Sequence, residues 1–357
     1  MKGSSWNKRM LALVAMMFLL LLAACGGDSS SGAEAESGEE TDVETSESEG
    51  ATDVDVEEVA DLGEATLVTN WFAQPEHGGN YAALDEGYYE EVGIDMTIEP
   101  GGPQISATQL VASGKMDFGY TSGEDILNSR DKGIPLVAIG AIFQVSPYVL
   151  ISHADAGVEN FEDLNGMTSI TAPGVGYWEY IKEAYELGDM NELSYTGQLS
   201  TFIDDPNAVT QGYITSEPYV LDQQGVENSY LRIHDSGFQP YSNVLFTTEE
   251  IIEEKPELVA AFMEATVKGW EAYREDPANY QDILLEYNPD LTEGLMEFGA
   301  EEQEELIFGG DAEEYGFGYM TEERWSTLQD QMLDLGIISN DEDPNNYFTT
   351  EFLPSEE

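Results

Sequence analysis

Rings and small polar groups recur in this 357-residue chain where predicted strands give way to loops. Trp71 and His77 follow the first strand, Tyr120 and Ser122 the third, Phe143 the fourth, and Tyr177 and Trp178 the first strand of a later set. In an open α/β sheet a ligand sits at the carboxyl ends of the strands, so these loops supply the candidate contacts. Aromatic side chains there would stack on a flat ligand, each contact contributing roughly 0.5–1.5 kcal/mol beyond buried area. Core packing is the alternative for each ring taken singly. Trp71 and Tyr177 rank above the others because they fall in loops rather than on apolar faces. His77 reads equally as a polar contact or as a helix-start residue bonded to backbone. Glu217 follows a strand ending near Thr215 and is either a carboxylate for a ligand's N–H groups or one more solvent-facing acid among 72. The turn Thr171-Ala172-Pro173-Gly174-Val175-Gly176 leads from strand to helix, where backbone amides can face a hydrogen-bond acceptor. Such turns are common, and this one is a weak signal by itself.

What is missing discriminates further. Beyond residue 24 the basic residues run from Lys115 to Arg324, and none lies in a proposed strand-end loop. A buried sulfonate, phosphate or nitrate normally sits beside a guanidinium or ammonium. The site therefore reads as neutral to acidic, suited to a flat, uncharged or weakly cationic heteroaromatic. Helix-terminus amides are the remaining route to an anion. His77, His153 and His234 are scattered, the acids show no calcium-loop spacing, and no GxxxxGK motif occurs, so neither metal nor cofactor is expected. ATP hydrolysis would belong to a partner.

These loops need a scaffold. From Ala65 onward short β-rich runs alternate with amphipathic helical stretches, the signature of a parallel sheet flanked by helices. Strands are predicted at Thr66–Thr69, Asp95–Glu99, Phe118–Tyr120 and Leu136–Ile142, with helices at Gly79–Glu86, Ser106–Ser113 and Gly123–Lys132. A second set begins near Phe161, with strands at Thr168–Thr171, Gly212–Ile214 and Tyr230–Ile233 and helices at about Tyr177–Glu186 and after Pro218. One more strand, Asn243–Phe246, precedes a mainly helical stretch in which Leu258, Phe262, Ala265, Gly269 and Tyr273 share a face. The predicted fold class is α/β: two parallel-rich sheets flanked by helices, with a hinge. Lobe 1 would take residues 63–153 and, with the C-terminal helices, 239–357; lobe 2 would take 154–238. The chain would cross near Ser152–Asp155 and again near Ser236–Tyr241, and two crossings make a hinge over which lobes close on a ligand.

The first 62 residues have another character. Lys2, Lys8 and Arg9 form a positive leader, and Met10–Leu22 is apolar but short for a membrane span. Leu22-Ala23-Ala24-Cys25 holds the chain's single cysteine, which is the pattern of a bacterial lipoprotein signal covering residues 1–24. Diacylation of Cys25 would hold the protein on the extracytoplasmic face of the cell membrane; an ordinary secretory signal with an incidental cysteine is the alternative. With one cysteine no intramolecular disulfide can form. Residues 25–62 read as a disordered tether. Asp28–Leu62 carries 14 acidic residues and no aromatic, proline or basic one, and as a flexible coil it would span roughly 30–35 Å. Acids also crowd the body, giving a formal net charge of −60. Such a surface needs screening, and at molar salt the Debye length falls to roughly 3 Å, so a salt-adapted, halophilic source is expected. Nucleic acid is an improbable partner for the same reason.

Order adds what single motifs do not. Asn70-Trp71-Phe72 through Glu76-His77-Gly78-Gly79, then Gly87-Tyr88-Tyr89, Val92-Gly93-Ile94-Asp95 and Gly101-Gly102-Pro103 resemble the first lobe of the thiamine-pyrimidine family of periplasmic binding proteins. Gly114-Lys115-Met116-Asp117-Phe118-Gly119, Gly133-Ile134-Pro135-Leu136-Val137-Ala138 and Phe161-Glu162-Asp163-Leu164-Asn165-Gly166 follow at the family's spacing. So do Ala261-Phe262, Ala265-Thr266, Lys268-Gly269-Trp270 and Asp276-Pro277. The resemblance covers roughly Thr66 to Asn288. It implies a monomeric capture subunit of an ABC importer, handing its ligand to a permease with its ATPase and performing no reaction. Thiamine pyrimidine precursors are the leading ligands it implies, and riboflavin is the alternative; if Glu217 is a ligand carboxylate, as its place after a strand allows, it would pair with the amino and ring-nitrogen edge. A eukaryotic branch of similar fold makes the pyrimidine, using a histidine and a cysteine-rich motif. This chain keeps His77 but has no cysteine beyond Cys25. A sensor or adhesin of the same fold is a further rival.

Overall fold

Ten strands run through the residues that this computed structural model describes, 60–188 and 190–354. They are β1 (Gly63–Val68), β2 (Ile94–Glu99), β3 (Phe118–Thr121), β4 (Leu136–Phe143), β5 (Tyr148–His153), β6 (Thr168–Thr171), β7 (Asn191–Ser194), β8 (Ala208–Tyr213), β9 (Asn228–Arg232) and β10 (Ser242–Thr248). The signal segment, Cys25 and nearly all of the tether lie outside the described residues.

The strands form two five-stranded sheets, ordered β2-β1-β3-β10-β4 and β7-β6-β8-β5-β9. In each sheet four strands point one way and one runs against them. That strand is β10 in the first sheet and β5 in the second, each antiparallel to both neighbours. Both are the strands by which the chain enters the sheet from the other lobe. The expected two-lobed α/β architecture is present, with one correction. β5 pairs with β8 and β9, so Tyr148–His153 belongs to the second sheet, and the crossing expected near Ser152–Asp155 lies at residues 144–147. β5 escaped the sequence reading because its apolar run follows that of β4 after only four residues.

Burial follows strand position. β2, at an edge, buries Ile94, Met96 and Ile98 and exposes Asp95, Thr97 and Glu99, the alternation of a sheet covered on one face. β4 is also at an edge, yet all eight of its residues are buried. The C-terminal segment covers it. The Ala138 N–H donates to the Tyr347 carbonyl (2.9 Å), the Thr349 N–H to the Ala138 carbonyl (2.9 Å), and the Ala141 N–H to the Gly318 carbonyl (2.9 Å). An edge so covered offers no free ladder to a second chain.

The helix Pro256–Glu275 buries the predicted face, Leu258, Phe262, Ala265, Gly269 and Tyr273, against the first sheet, with Phe118 stacked on Phe262 at 3.9 Å. At Gly269 a side chain would strike the Gly79 carbonyl, so glycine sets how closely this helix crosses Gly78–Asp85.

Arg324, from the C-terminal helix Glu322–Asp334, bridges both crossings. Its Nη2 donates to the carbonyls of Gln144 (2.7 Å) and Gln239 (3.3 Å), while its guanidinium lies 3.7 Å over the Tyr241 ring.

Candidate ligand-binding site

A cavity of about 540 Å³ opens where the two sheets meet. The parallel strands contribute their carboxyl ends: Asn70 and Trp71 beyond β1, Gly102 and Pro103 beyond β2, Ser122 and Glu124 beyond β3. From the second lobe come Ala172 to Gly176 beyond β6, Tyr195 beyond β7, and Ser216 and Glu217 beyond β8. The reversed strands contribute their first residues, Tyr148 of β5 and Ser242 and Asn243 of β10. Sheet direction alone brings these segments together.

Four sequence candidates line the cavity: Trp71, Tyr120, Ser122 and Glu217. Trp71 reaches across from lobe 1, its ring about 3.4 Å from where a side chain on Gly197 would begin. Tyr120 borders the cavity but is fully buried, and its hydroxyl is held by Asn80 Oδ1 in a buried network with Tyr89 and Thr266. The Ser122 hydroxyl accepts from the Asp125 N–H at 3.2 Å, capping the helix Gly123–Asp131. Glu217 accepts from the Tyr195 hydroxyl (3.0 Å), the Tyr213 N–H (2.7 Å) and the Ser216 hydroxyl (2.6 Å).

The other four stand behind the lining. Phe143 and Trp178 are core residues. Tyr177 is buried behind Tyr148 at a ring separation of 5.3 Å and donates to Gln211 Oε1 (2.8 Å). His77 is fully buried with its ring edge-on to Tyr120, and burial lowers its pKa to about 3, so its imidazole is neutral. Its Nε2 donates to Asn70 Oδ1 (2.9 Å), and Asn70 Nδ2 donates to Asn243 Oδ1 (2.9 Å). Asn243 has φ +45°, a left-handed conformation that asparagine tolerates better than most residues. Its Oδ1 also accepts from the Tyr213 hydroxyl of the other lobe (3.3 Å).

Sequence reasoning passed over much of the lining. Tyr148, Tyr195 and Tyr213 form a ring wall in lobe 2, with Tyr148 edge-on to Tyr213 at 4.5 Å. Glu76, Glu124 and Asp125 add three carboxyl groups, indistinguishable in sequence from the other acids. Glu76 and Glu124 are 3% and 6% exposed, and Glu76 Oε2 and Glu124 Oε1 have no hydrogen-bond partner. Desolvation, with a smaller push from Glu217 on Glu76 and from Asp125 on Glu124, outweighs backbone hydrogen bonds and raises both to about 8. No Lys or Arg lines the cavity.

Known proteins match this chain along most of its length. It is 27% identical over 309 residues to the riboflavin-binding protein RibY of Chloroflexus aurantiacus, covering 82% of this chain and 87% of that one. It is 26% identical over 272 residues to the formylaminopyrimidine-binding protein of Halalkalibacterium halodurans (73% and 82% covered). It is 27% identical over 249 residues to the 4-amino-5-hydroxymethyl-2-methylpyrimidine phosphate synthase of Legionella pneumophila (65% and 76%). The alkanesulfonate-binding protein SsuA of Xanthomonas axonopodis pv. citri shares the fold at TM-score 0.63 and 11% identity, over 81% of this chain and 99% of its own. Residues 74–280 match the model of the NMT1/THI5 like family, and the chain belongs to that family.

Proposed function

We propose that this protein is a lipid-anchored, extracytoplasmic solute-binding subunit of an ABC importer that closes two lobes on a flat nitrogen heteroaromatic. A thiamine pyrimidine precursor is the leading ligand. The observation that carries the reading is the cleft: about 540 Å³, walled by Trp71, Tyr120, Tyr148, Tyr195 and Tyr213, and without a cation. Its size falls within the roughly 300–1,000 Å³ of small-molecule sites, and ring faces with carboxyl groups suit a planar donor-bearing ligand better than an anion.

Riboflavin is the second reading, favoured by the extent of the match to RibY. A synthase is less well supported: His77, the one histidine the resemblance offers, is buried behind Asn70 and Tyr120 rather than lining the cleft. Anchoring through Cys25, a monomeric state and an acidic surface suited to concentrated salt complete the proposal.

Calorimetry at high salt with aminopyrimidines, riboflavin, thiamine, taurine and nitrate tests it. A ligand taken only by the folded protein stabilises it by about 2.7 kcal/mol at a hundredfold excess over Kd. Trp71→Ala should weaken binding at least tenfold, about 1.4 kcal/mol, without unfolding the protein. Uptake of taurine or nitrate in place of the heterocycles would overturn the reading.

A further inference from the structure

Glu217 has little left to offer a ligand, since its oxygens already take three donors, all from residues of its own lobe. Glu76 is in the opposite condition. It lines the same cleft, its Oε2 has no partner, and its backbone is fixed on both sides. The Pro75 carbonyl accepts from Gln303 Nε2 (2.9 Å), and the Glu76 carbonyl accepts from Asn243 Nδ2 (3.3 Å). Resting on the heteroaromatic reading of this cleft, we propose that Glu76 is its specificity-determining residue, selecting a nitrogen base that binds protonated, with its ring N–H on Glu76 Oε2.

The charged and titratable groups around Glu76 are Glu217 and the hydroxyls of Tyr120, Tyr213 and Tyr273, with the neutral His77 next in the chain. No cation stands among them to satisfy a carboxylate. Burial, with Glu217 nearby, raises Glu76 to about 8, so near neutral pH the empty site holds a proton on this carboxyl group. When a neutral base enters, that proton passes from the carboxyl oxygen to the ring nitrogen. The product is an N⁺–H···⁻O pair, and no proton is exchanged with solvent. Above about pH 8 the carboxyl group is already ionised, binding must draw a proton from water, and affinity falls up to tenfold per pH unit. Below the base's own pKa binding must release a proton, and affinity falls again. A ring without a basic nitrogen gains nothing from Glu76.

The probes are 4-amino-5-hydroxymethyl-2-methylpyrimidine, its benzenoid analogue lacking the ring nitrogens, and riboflavin, with Kd measured from pH 6 to 10 at high salt. For the pyrimidine, affinity should hold level up to about pH 8 and then decline. Glu76→Gln, an isostere of the protonated carboxyl group, should weaken pyrimidine binding at pH 7 at least tenfold and abolish the alkaline decline. Glu217→Gln should keep that decline, and the analogue should bind at least tenfold more weakly than the pyrimidine. A pH-independent Kd, an alkaline decline that survives in Glu76→Gln, or equal binding of the analogue would overturn the proposal. Binding of riboflavin alone would overturn it while leaving the heteroaromatic reading intact; binding of none of the three would overturn both.

Discussion

The two sheets have the same strand order and the same single reversed strand, yet they are finished differently. In lobe 1 the edge strand β4 is buried along its whole length under the C-terminal segment. In lobe 2 the edge strand β7 is exposed at all four residues, and β9 is fully buried at none. Identical topology therefore yields one sheathed lobe and one thin one. The difference comes from chain beyond the shared pattern, which covers β4 and, through Arg324, bridges both crossings.

The contrast breaks most readily where the C-terminal segment is tied to lobe 1. The Arg130 side chain, 8% exposed, pairs with Glu249 (2.8 Å) and Glu342 (2.6 Å) and donates to the Leu136 carbonyl (3.1 Å). Arg130→Ala should destabilise the protein by about 3 kcal/mol in chemical denaturation, because its hydrogen bonds to the Leu136 carbonyl and to two partly exposed carboxylates are lost together. Arg130 also holds the Glu342 carboxyl group below its usual value. That contribution is present above the unfolded carboxylate value and is lost as pH falls through the folded one. The variant should therefore lose part of the acid sensitivity of unfolding below about pH 4.5.

Arg324→Ala is next in size. Loss of its bonds to Gln144 and Gln239 and of its contact with Tyr241 should cost about 2 kcal/mol and widen the range of lobe separations seen by small-angle X-ray scattering without ligand. An unchanged scattering profile would mean the bridge braces lobe 1 alone. The smallest effect belongs to lobe 2. Leu193 on β7 is 40% exposed, and Leu193→Ser should shift stability by no more than about 0.5 kcal/mol. A larger loss would show that β7 is covered in solution, against the thin-lobe description.

Much of the scaffold was legible in advance. β6 matches its predicted bounds, and β1, β2, β3, β4 and β10 fall within a few residues of theirs, because each is a short apolar run bounded by glycine, proline or charge. β7, Asn191-Glu192-Leu193-Ser194, was not legible: it buries nothing, and its pairing with β6 is its main restraint. The site was half legible for the same reason. Trp71 and Tyr120 announce themselves as large rings after strands, but Tyr148 reaches the cleft only because β5 runs backwards. Tyr177 and Trp178 lose it because the first turn of their helix points them inward.

Composition, alternation and motif order are local properties, so the sequence by itself determined the acidity of the surface, the two-lobed α/β scaffold and a cleft without cations. Which acids are buried, which carboxyl oxygen is left without a donor, and which rings face the gap depend on partners as distant as Glu76 and Asn243. Only the tertiary structure decided these, because burial and hydrogen-bond saturation are settled by what lies across space from a residue and not by its neighbours along the chain.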